Sequence, residues 1–463
     1  MVETEEKLET IEVVKRNGKK VEFDGTKVAM AIKKGFDSVL LDSEENEKKY
    51  NTKDIQKVYQ AVIKKIAKDY LPLGKIKIEE IQDLIEENLK KYDYQDVYES
   101  FSEYRQRRAN ARIAFRDDKN MAKLQKSIEG LGLKSAAEED SKRENANIDG
   151  NTAMGTMLQF GSTISRAFTE AYLMKKKYAE AHSNGDIHIH DMDFEAMGTT
   201  TCTQIDLSKL FKNGFSTGHG FLREPKDIIS YAALAAIAIQ SNQNDQHGGQ
   251  SIPAFDYYMA PGVLKTFKKQ YKQAVYELLD FSDFISFINM DRVEKEIDKL
   301  TSIDVDTKVF EGIYKDSTEV KKIFEKGYET AYKKTNRQTY QAMEAFIHNL
   351  NTMHSRAGAQ VPFSSVNFGT DTSPEGRMVI KNFLLATDAG LGRNETPIFP
   401  ISIFKLRKGT NYEVTDPNYD LFKLAIKVSA KRLFPNFSFM DSSFNKPYYK
   451  GDYNTEVAYM GCR

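Results

Sequence analysis

Cys202 and Cys462 are the only thiols among 463 residues. Each lies in a strand-like setting, Thr-Thr-Cys-Thr-Gln and Met-Gly-Cys-Arg. Two cysteines cannot build a disulfide scaffold or a four-cysteine zinc site. Taken alone, a buried cysteine is most often a small hydrophobe. His188 and His190 are two apart, so they share one face of a strand. With Asp191 and Asp193 beside them they could ligate a metal. No cysteine or third histidine stands at ligand spacing, so hydrogen-bonded structural histidines are the preferred reading and no metal is assigned. His247, in QNDQHGGQS, sits among amides and glycines, where backbone N–H groups can approach a ligand, and it is read as part of a binding loop. Lys15-Arg16-Asn17-Gly18 sets two fixed positive charges beside a tight turn, and Lys27 opens the next helix. A lysine point charge and an arginine fork both suit phosphate. A bare KRNG is more commonly an exposed basic hairpin.

The elements that must hold these groups fall into three regions. Residues 1–112 open with IEVVKRNGKKVEFD, where Asn17-Gly18 between alternating residues predicts a β-hairpin. Ile55, Val58, Val62 and Ile66 follow at helical spacing, as do Ile78, Ile81, Leu84, Ile85 and Leu89. The region closes on VYESFSEYRQRRANAR and reads as a small α domain fronted by a hairpin. Residues 113–147 are polar and read as a linker containing a helix. From 148 to 463 the element types mix. Met154–Ala181 reads as helix, DIHIHDMDF and TTTCTQIDL as strands, and 226–241 as a helix running into the SNQNDQHGGQS loop. Helices are expected over 262–290, 318–353, 375–389 and 418–433, with strands in VPFSSVNFG and TPIFPISIFKL. Strands alternating with long helices predict an α/β architecture with parallel strands.

Composition narrows the class. Lys+Arg and Asp+Glu number 67 each, so the formal net charge is zero, which argues against a general nucleic-acid binder. Hydrophobic residues make up 40% and charged residues 29%, the balance of a folded globular chain. No apolar stretch is long enough to cross a membrane as a helix. The acidic MVETEEKLET lacks an apolar core, so no signal peptide is expected, and a cytoplasmic, reducing compartment is the simplest reading. The sequence stops at EVAYMGCR, inside what looks like an apolar strand or its tip. A truncated polypeptide is the favoured explanation.

Three segments, IEVVKRNGKKVEFDGTKV, IKIEEIQDLIEENL and YRQRRANAR, resemble in order the ATP-cone, a regulatory nucleotide-binding module. The resemblance implies binding of ATP or dATP, with Lys15, Arg16, Asn17, Gly18 and Lys27 as contacts. Arg105, Arg107 and Arg108 either join them or serve structure at the domain edge. From about residue 145 onward, NANIDGNTAMGTM, NGDIHIHDMDF, TTTCTQIDL, QSNQNDQHGGQS, RAGAQVPFSSVNFG, PIFPISIF and YMGCR resemble the large subunit of anaerobic (class III) ribonucleoside-triphosphate reductases. That family implies part of a ten-stranded α/β glycyl-radical-enzyme barrel.

It also implies a chemistry. Replacing a ribose 2′-OH by hydrogen needs a radical at C3′. A cysteine thiyl can take the 3′ hydrogen and later return it. Cys462 matches the thiyl at the loop tip, and Cys202 matches the cysteine of the first barrel strand that donates at the 2′ side. Ribonucleoside triphosphates are the implied substrates. His247, Ser364, Ser365 and Asn367 are candidate substrate-site residues. A deoxynucleotide effector is expected on a homodimer interface against the helix at 226–241, with Lys226 for phosphate and Gln240 for a polar contact. Further implied partners are a radical-SAM activating enzyme and, as reductant, formate or a small thiol redox protein. The family's glycyl-radical segment and zinc site have no counterpart in these residues and are expected only in a longer polypeptide, so the chain alone should not turn over. Pyruvate formate-lyase, a related glycyl-radical enzyme, would carry two adjacent cysteines at the tip. An ATP-cone transcriptional regulator that senses dATP would need a four-cysteine zinc ribbon. A nucleotide-binding regulatory pseudo-enzyme stays open as an alternative.

Overall fold

The computed structural model describes residues 8, 10–15, 19–40, 50–114, 152–282, 284–314, 317–356 and 358–461, with side chains of 107–114 omitted. Arg16, Asn17, Gly18, Cys462 and the 115–147 stretch of the linker therefore lie outside the described residues. The chain divides into two compact units, Met1–Glu129 with Ile164–Ala196, and Gly130–Thr163 with Met197–Arg463.

In the first unit the hairpin strands β1 (Glu12–Val14) and β2 (Lys20–Glu22) pair antiparallel, Val14 opposite Lys20. Helices α1 (Gly25–Leu40) and α2 (Thr52–Asp69) follow. A third strand that periodicity did not predict, β3 (Lys75–Lys77), pairs parallel to β1 and gives the order β2-β1-β3. It is only three residues long, too short to display a period. Helices α3 (Ile78–Lys91) and α4 (Gln95–Ala114) complete the ATP-cone-like segment. The apolar stripes do what their spacing predicts. Val58, Val62 and Ile66 of α2 and Ile81, Leu84, Ile85 and Leu89 of α3 are buried in one core with Phe36 and Phe101. α2 starts where Asn51 accepts from Lys53 N–H and Asp54 reaches back to Asn51 N–H, each at 2.8 Å, a reciprocal cap.

The predicted helix at 154–181 divides into α5 (Ala153–Phe168), a π-helical turn at Thr169–Leu173 and α6 (Lys176–Asn184). DIHIHDMDF is not a strand but a succession of turns. Asp191 adopts a left-handed φ of 53°, and His182 Nδ1 accepts the Ile189 N–H at 3.1 Å. Side-chain capture of this kind competes with a ladder.

The second unit is built on five parallel strands in the order β10-β9-β8-β7-β4. They are β4 (Thr201–Gln204), β7 (His247–Ile252), β8 (Ser364–Phe368), β9 (Ile401–Leu406) and β10 (Asn436–Phe439). A short hairpin, β5 (Phe215–Ser216) and β6 (Phe221–Leu222), follows the helix α7 (Leu207–Asn213). The crossovers are helical, as parallel strands require: α8 (Ile228–Asp245), then α9 (Phe255–Phe281), α10 (Met290–Asp298), α11 (Glu311–Tyr314) and α12 (Thr318–Thr352), then α13 (Pro374–Ala389) and α14 (Tyr419–Arg432). Phe255, Phe346, Phe368, Phe383 and Phe404 interlock between sheet and helices. The register sets Gln204, Ser251, Ser365 and Ile401 in one row. The polar stretch read as a loop at 241–251 is instead the last turn of α8 and strand β7. Pairing on both edges buries Gln250 and Ser251, and Gln250 Oε1 is satisfied by Asn242 Nδ2 at 2.8 Å.

Candidate functional site

Cys202 sits where β4 is irregular: Thr201 pairs with His247 but Thr203 with Gln250, so the register slips around it. Its φ is 56°, a conformation few non-glycine residues take, and bulges of this kind re-aim side chains. Gly248, opposite, has φ 90°, and a β-carbon built on it would stand 3.5 Å from the Cys202 sulfur. Glycine here lets two strained backbones and a thiol pack closely. His247 is the first residue of β7, and its N–H donates to Thr200 O at 2.9 Å.

The approach to the second cysteine is described as far as Gly461. Residues 457–460 form no strand. Their backbone is held instead by side chains of the sheet. Asn367 clamps Tyr459 from both sides, its Oδ1 accepting the N–H at 2.9 Å and its Nδ2 donating to the carbonyl at 2.8 Å. Ser251 Oγ donates to the same carbonyl at 3.0 Å, and Gln204 Nε2 reaches Ala458 O at 3.0 Å. Ser365 Oγ accepts the Gly461 N–H at 2.8 Å. A β-carbon at Gly461 would fall 2.5 Å from Ile401 side-chain atoms, so only glycine lets the chain pass. Of the candidate substrate residues, Ser365 and Asn367 thus face this segment. Ser364 turns to the other side, where its hydroxyl meets Pro362 O at 3.2 Å. A cavity of about 440 Å³ lies alongside, lined by Ile403, Asn436, Phe439, Tyr459 and Gly461 among others.

Sequence reasoning missed the charged cluster at the carboxyl ends of these strands. Asp256, at the start of α9, is fully buried and accepts Gly369 N–H at 2.8 Å and Asp371 N–H at 3.1 Å through one oxygen. Burial raises its pKa. Burial, then the charge of Asp256, push Asp371 up to about 7. Lys405, Arg407 and Glu456 complete the cluster. A visible signal existed: Lys405 is the lone charge inside the apolar ISIFKL.

In the first unit, a cavity of about 520 Å³ is lined by Val21 to Lys27 and by Tyr59. It opens at the start of α1, where Asp24 Oδ1 accepts Thr26 N–H at 3.0 Å and Lys27 Nζ pairs with Asp24 at 2.9 Å. That hydrogen bond from Lys27 holds Asp24 below the usual carboxylate range. Lys15 closes the hairpin through its N–H to Lys19 O at 2.8 Å. Arg105 meets Asp83, Glu86 and Glu79 of α3 at 2.6, 3.0 and 3.4 Å, an ion network within the unit.

A family model described as anaerobic ribonucleoside-triphosphate reductase matches residues 144–463, and an ATP cone domain matches 11–110. The chain belongs to the anaerobic ribonucleoside-triphosphate reductase family. The reductase of Haemophilus influenzae is 27% identical over 97% of this chain and 54% of its own length. That of Enterobacteria phage T4 is 30% identical over 73% of this chain and 48% of its own. The chain spans about half the length of the curated relatives it matches. Among solved structures, the anaerobic ribonucleotide reductase from Thermotoga maritima with dATP bound in the specificity site aligns over 72% of this chain and 52% of its own. Its identity is 15% and its TM-score 0.43. The same enzyme in complex with dATP and CTP aligns over 70% and 50%, at 13% identity and TM-score 0.41.

Lys226 is exposed just ahead of α8, and its N–H donates to Ser230 Oγ at 3.1 Å. Gln240 is engaged inside the unit, its amide donating to Asn349 of α12. A groove of about 460 Å³ on α9 is lined by Lys265, Lys268, Lys269 and Lys272 together with Glu294 and Asp298, and its lysines are engaged, Lys272 with Asp298 at 2.8 Å and Lys268 with the Asp298 carbonyl at 2.7 Å. Lys265 pairs with Glu224 at 2.6 Å, which ties this row to the segment carrying Lys226. Among the described residues no group of three histidine, cysteine or acidic side chains could hold a metal ion, and no helix is long and apolar enough to cross a membrane.

Proposed function

We propose that this chain carries the regulatory cone and a thiol-bearing part of the catalytic domain of an enzyme that reduces ribonucleoside triphosphates to 2′-deoxyribonucleoside triphosphates. One observation supports it above the rest. The segment ending one residue before Cys462 lies along β8 and is hydrogen-bonded to Gln204, two residues from Cys202. On this reading Cys462, as a thiyl, takes the 3′ hydrogen. The 2′ hydroxyl leaves as water, and Cys202 delivers a hydrogen at the 2′ side. That leaves Cys202 as a thiyl and the sugar as a 3′ ketone; an external two-electron reductant, formate or a small thiol redox protein, returns a hydrogen atom to Cys202 and gives one electron, with a proton, to the ketone before Cys462 returns the 3′ hydrogen. The sheet holds the thiol and the ribose in reacting geometry. Substrate contacts are assigned to His247, Ser365 and Asn367, the last two on the face that holds the terminal segment; Ser364, buried on the other side with its hydroxyl on Pro362 O, is left out. The strands would form part of the family's barrel. The glycyl radical and zinc that the family implies are not provided by these 463 residues: two cysteines cannot ligate a four-cysteine zinc, and no step here is derived through either.

Regulation is assigned to the cone. ATP or dATP would place its phosphates against Lys15, Arg16, Asn17, Gly18 and Lys27, at the start of α1, a favourable place for an anion. A deoxynucleotide effector would bind near Lys226 and Gln240 with the α9 lysines, at a homodimer contact. An activating radical-SAM enzyme and a cytoplasmic setting belong to the same reading. The test is isotope exchange at the 3′ position, in an active protein carrying this chain. Cys462→Ser should abolish exchange and product, because an oxygen-centred radical is not a usable carrier. Cys202→Ser should retain exchange and lose reduction. Full turnover by either variant would end the proposal.

A further inference from the structure

Glu456 and Lys405 each have side chains only 1% exposed. Burying charges is costly unless they are paired and their hydrogen-bonding capacity is filled. Glu456 meets that condition fully. Its Oε2 receives Lys405 Nζ at 3.1 Å and the Thr370 hydroxyl at 2.8 Å, and its Oε1 receives the Arg407 guanidinium. Lys405 gives a further bond to Pro253 O at 2.8 Å. The thiol chemistry uses none of these groups. They converge on the residue at the foot of the segment that leads, through the Asn367 clamp and the Ser365 contact, to Cys462.

The consequence is register. Without strand pairing, an extended segment can slide along a sheet. Here a slip of one residue would bring Thr455 or Val457 to the place of the carboxylate and strand the buried Lys405 and the half-buried Arg407. It would also break the bidentate match of Asn367 to Tyr459. A buried ion cluster contributes little net stability but discriminates strongly against misplacement.

We infer that Glu456 is a positioning residue, whose grip by Lys405, Arg407 and Thr370 sets the register of residues 456–461 and hence where Cys462 is delivered. The functional meaning rests on reading Cys462 as the hydrogen-abstracting thiol. The placement itself does not.

The test uses the 463-residue chain and needs no turnover. Amide exchange is read at Tyr459 and Gly461, whose N–H groups donate to side chains of β8, and at Val366 and Phe368 within β8. Alkylation of Cys462 by iodoacetamide is followed by mass spectrometry. Hydrogen bonds to charged groups are the stronger ones, so Glu456→Gln should speed exchange at Tyr459 and Gly461 by about tenfold or more, and speed Cys462 alkylation, while β8 keeps its protection. Thr370→Val, which leaves both cations paired, should act in the same direction by about threefold and serves if the first variant does not fold. Unchanged exchange at Tyr459 and Gly461 would overturn the inference. So would loss of protection in step with β8, because that is what a purely structural role gives. A failure of the thiyl reading would show only in the Cys462→Ser exchange experiment, so the two failures are distinguishable.

Discussion

At the scale of single residues, the site depends on atoms that are absent as much as on those present. Gly461 passes Ile401 with no room for a β-carbon. Gly461→Ala should therefore cost about 1–3 kcal/mol, as overpacking does. Because Ile401→Ala carries its own cavity cost, the comparison is with that variant: adding Gly461→Ala to Ile401→Ala should cost less in thermal melts than adding it to the parent. An equal increment in the two backgrounds would place the strain elsewhere. In the cone, Asp24 competes for Lys27 and sets a negative charge where phosphate would sit. Titration calorimetry on the full chain should find ATP bound about tenfold more weakly by Lys27→Ala and more tightly by Asp24→Asn, since charge-assisted contacts dominate phosphate recognition. Equal affinity in all three proteins would remove the first turn of α1 from the binding site.

At the scale of elements, the carboxyl ends of β7, β8 and β9 carry a titration. Asp371, pushed up to about 7, holds its proton more tightly folded than unfolded. Its stabilising contribution is complete below the ordinary aspartate pKa and is lost as pH rises through about 7. Asp371→Asn should thus remove a decline in stability between about pH 4 and 7, amounting to about one proton, and should be more stable than the parent at pH 8. Urea midpoints across that range give the answer. A parallel decline in both proteins would place the titration on other groups. The elements also explain what could be read in advance. The stripes of α2 and α3 and the long helices α9, α12 and α13 were legible, because burial of one face imposes a period. The strands at Ser364 and Ile401 were legible from short runs with apolar residues, and TTTCTQIDL was read as a strand although Thr201–Gln204 is polar. Strands β3 and β10 were not: they are three and four residues long and, unlike β1 and β2, have no turn dipeptide beside them to mark a hairpin. DIHIHDMDF imitated a strand because alternation alone does not reveal a side chain, here His182, that captures a backbone N–H. SNQNDQHGGQS imitated a loop because some of its polar residues find partners far away in sequence, Asn242 at Thr203, Gln243 at Val361 and Ser251 at Tyr459. The anchoring of the last residues by Asn367, Ser365 and Glu456 was hidden for the same reason.

At the scale of the whole molecule, the ATP-cone match (11–110) lies in one compact unit, which also takes in Ile164–Ala196 of the reductase match, and the five-stranded parallel sheet lies in the other; on the proposed function the cone senses nucleotide and the sheet carries the thiol-bearing segment. Effector binding and thiol chemistry would then be linked as a coupling between distinct sites. Everything in this account turns on Cys202 and Cys462 converging on one cavity. A short bismaleimide, added to the 463-residue chain and followed by peptide mapping, measures that directly. The expected result is an intramolecular cross-link between Cys202 and Cys462 as the main product, suppressed by a ribonucleoside triphosphate occupying the space between them. Separate single adducts at the two cysteines, unaffected by nucleotide, would contradict it.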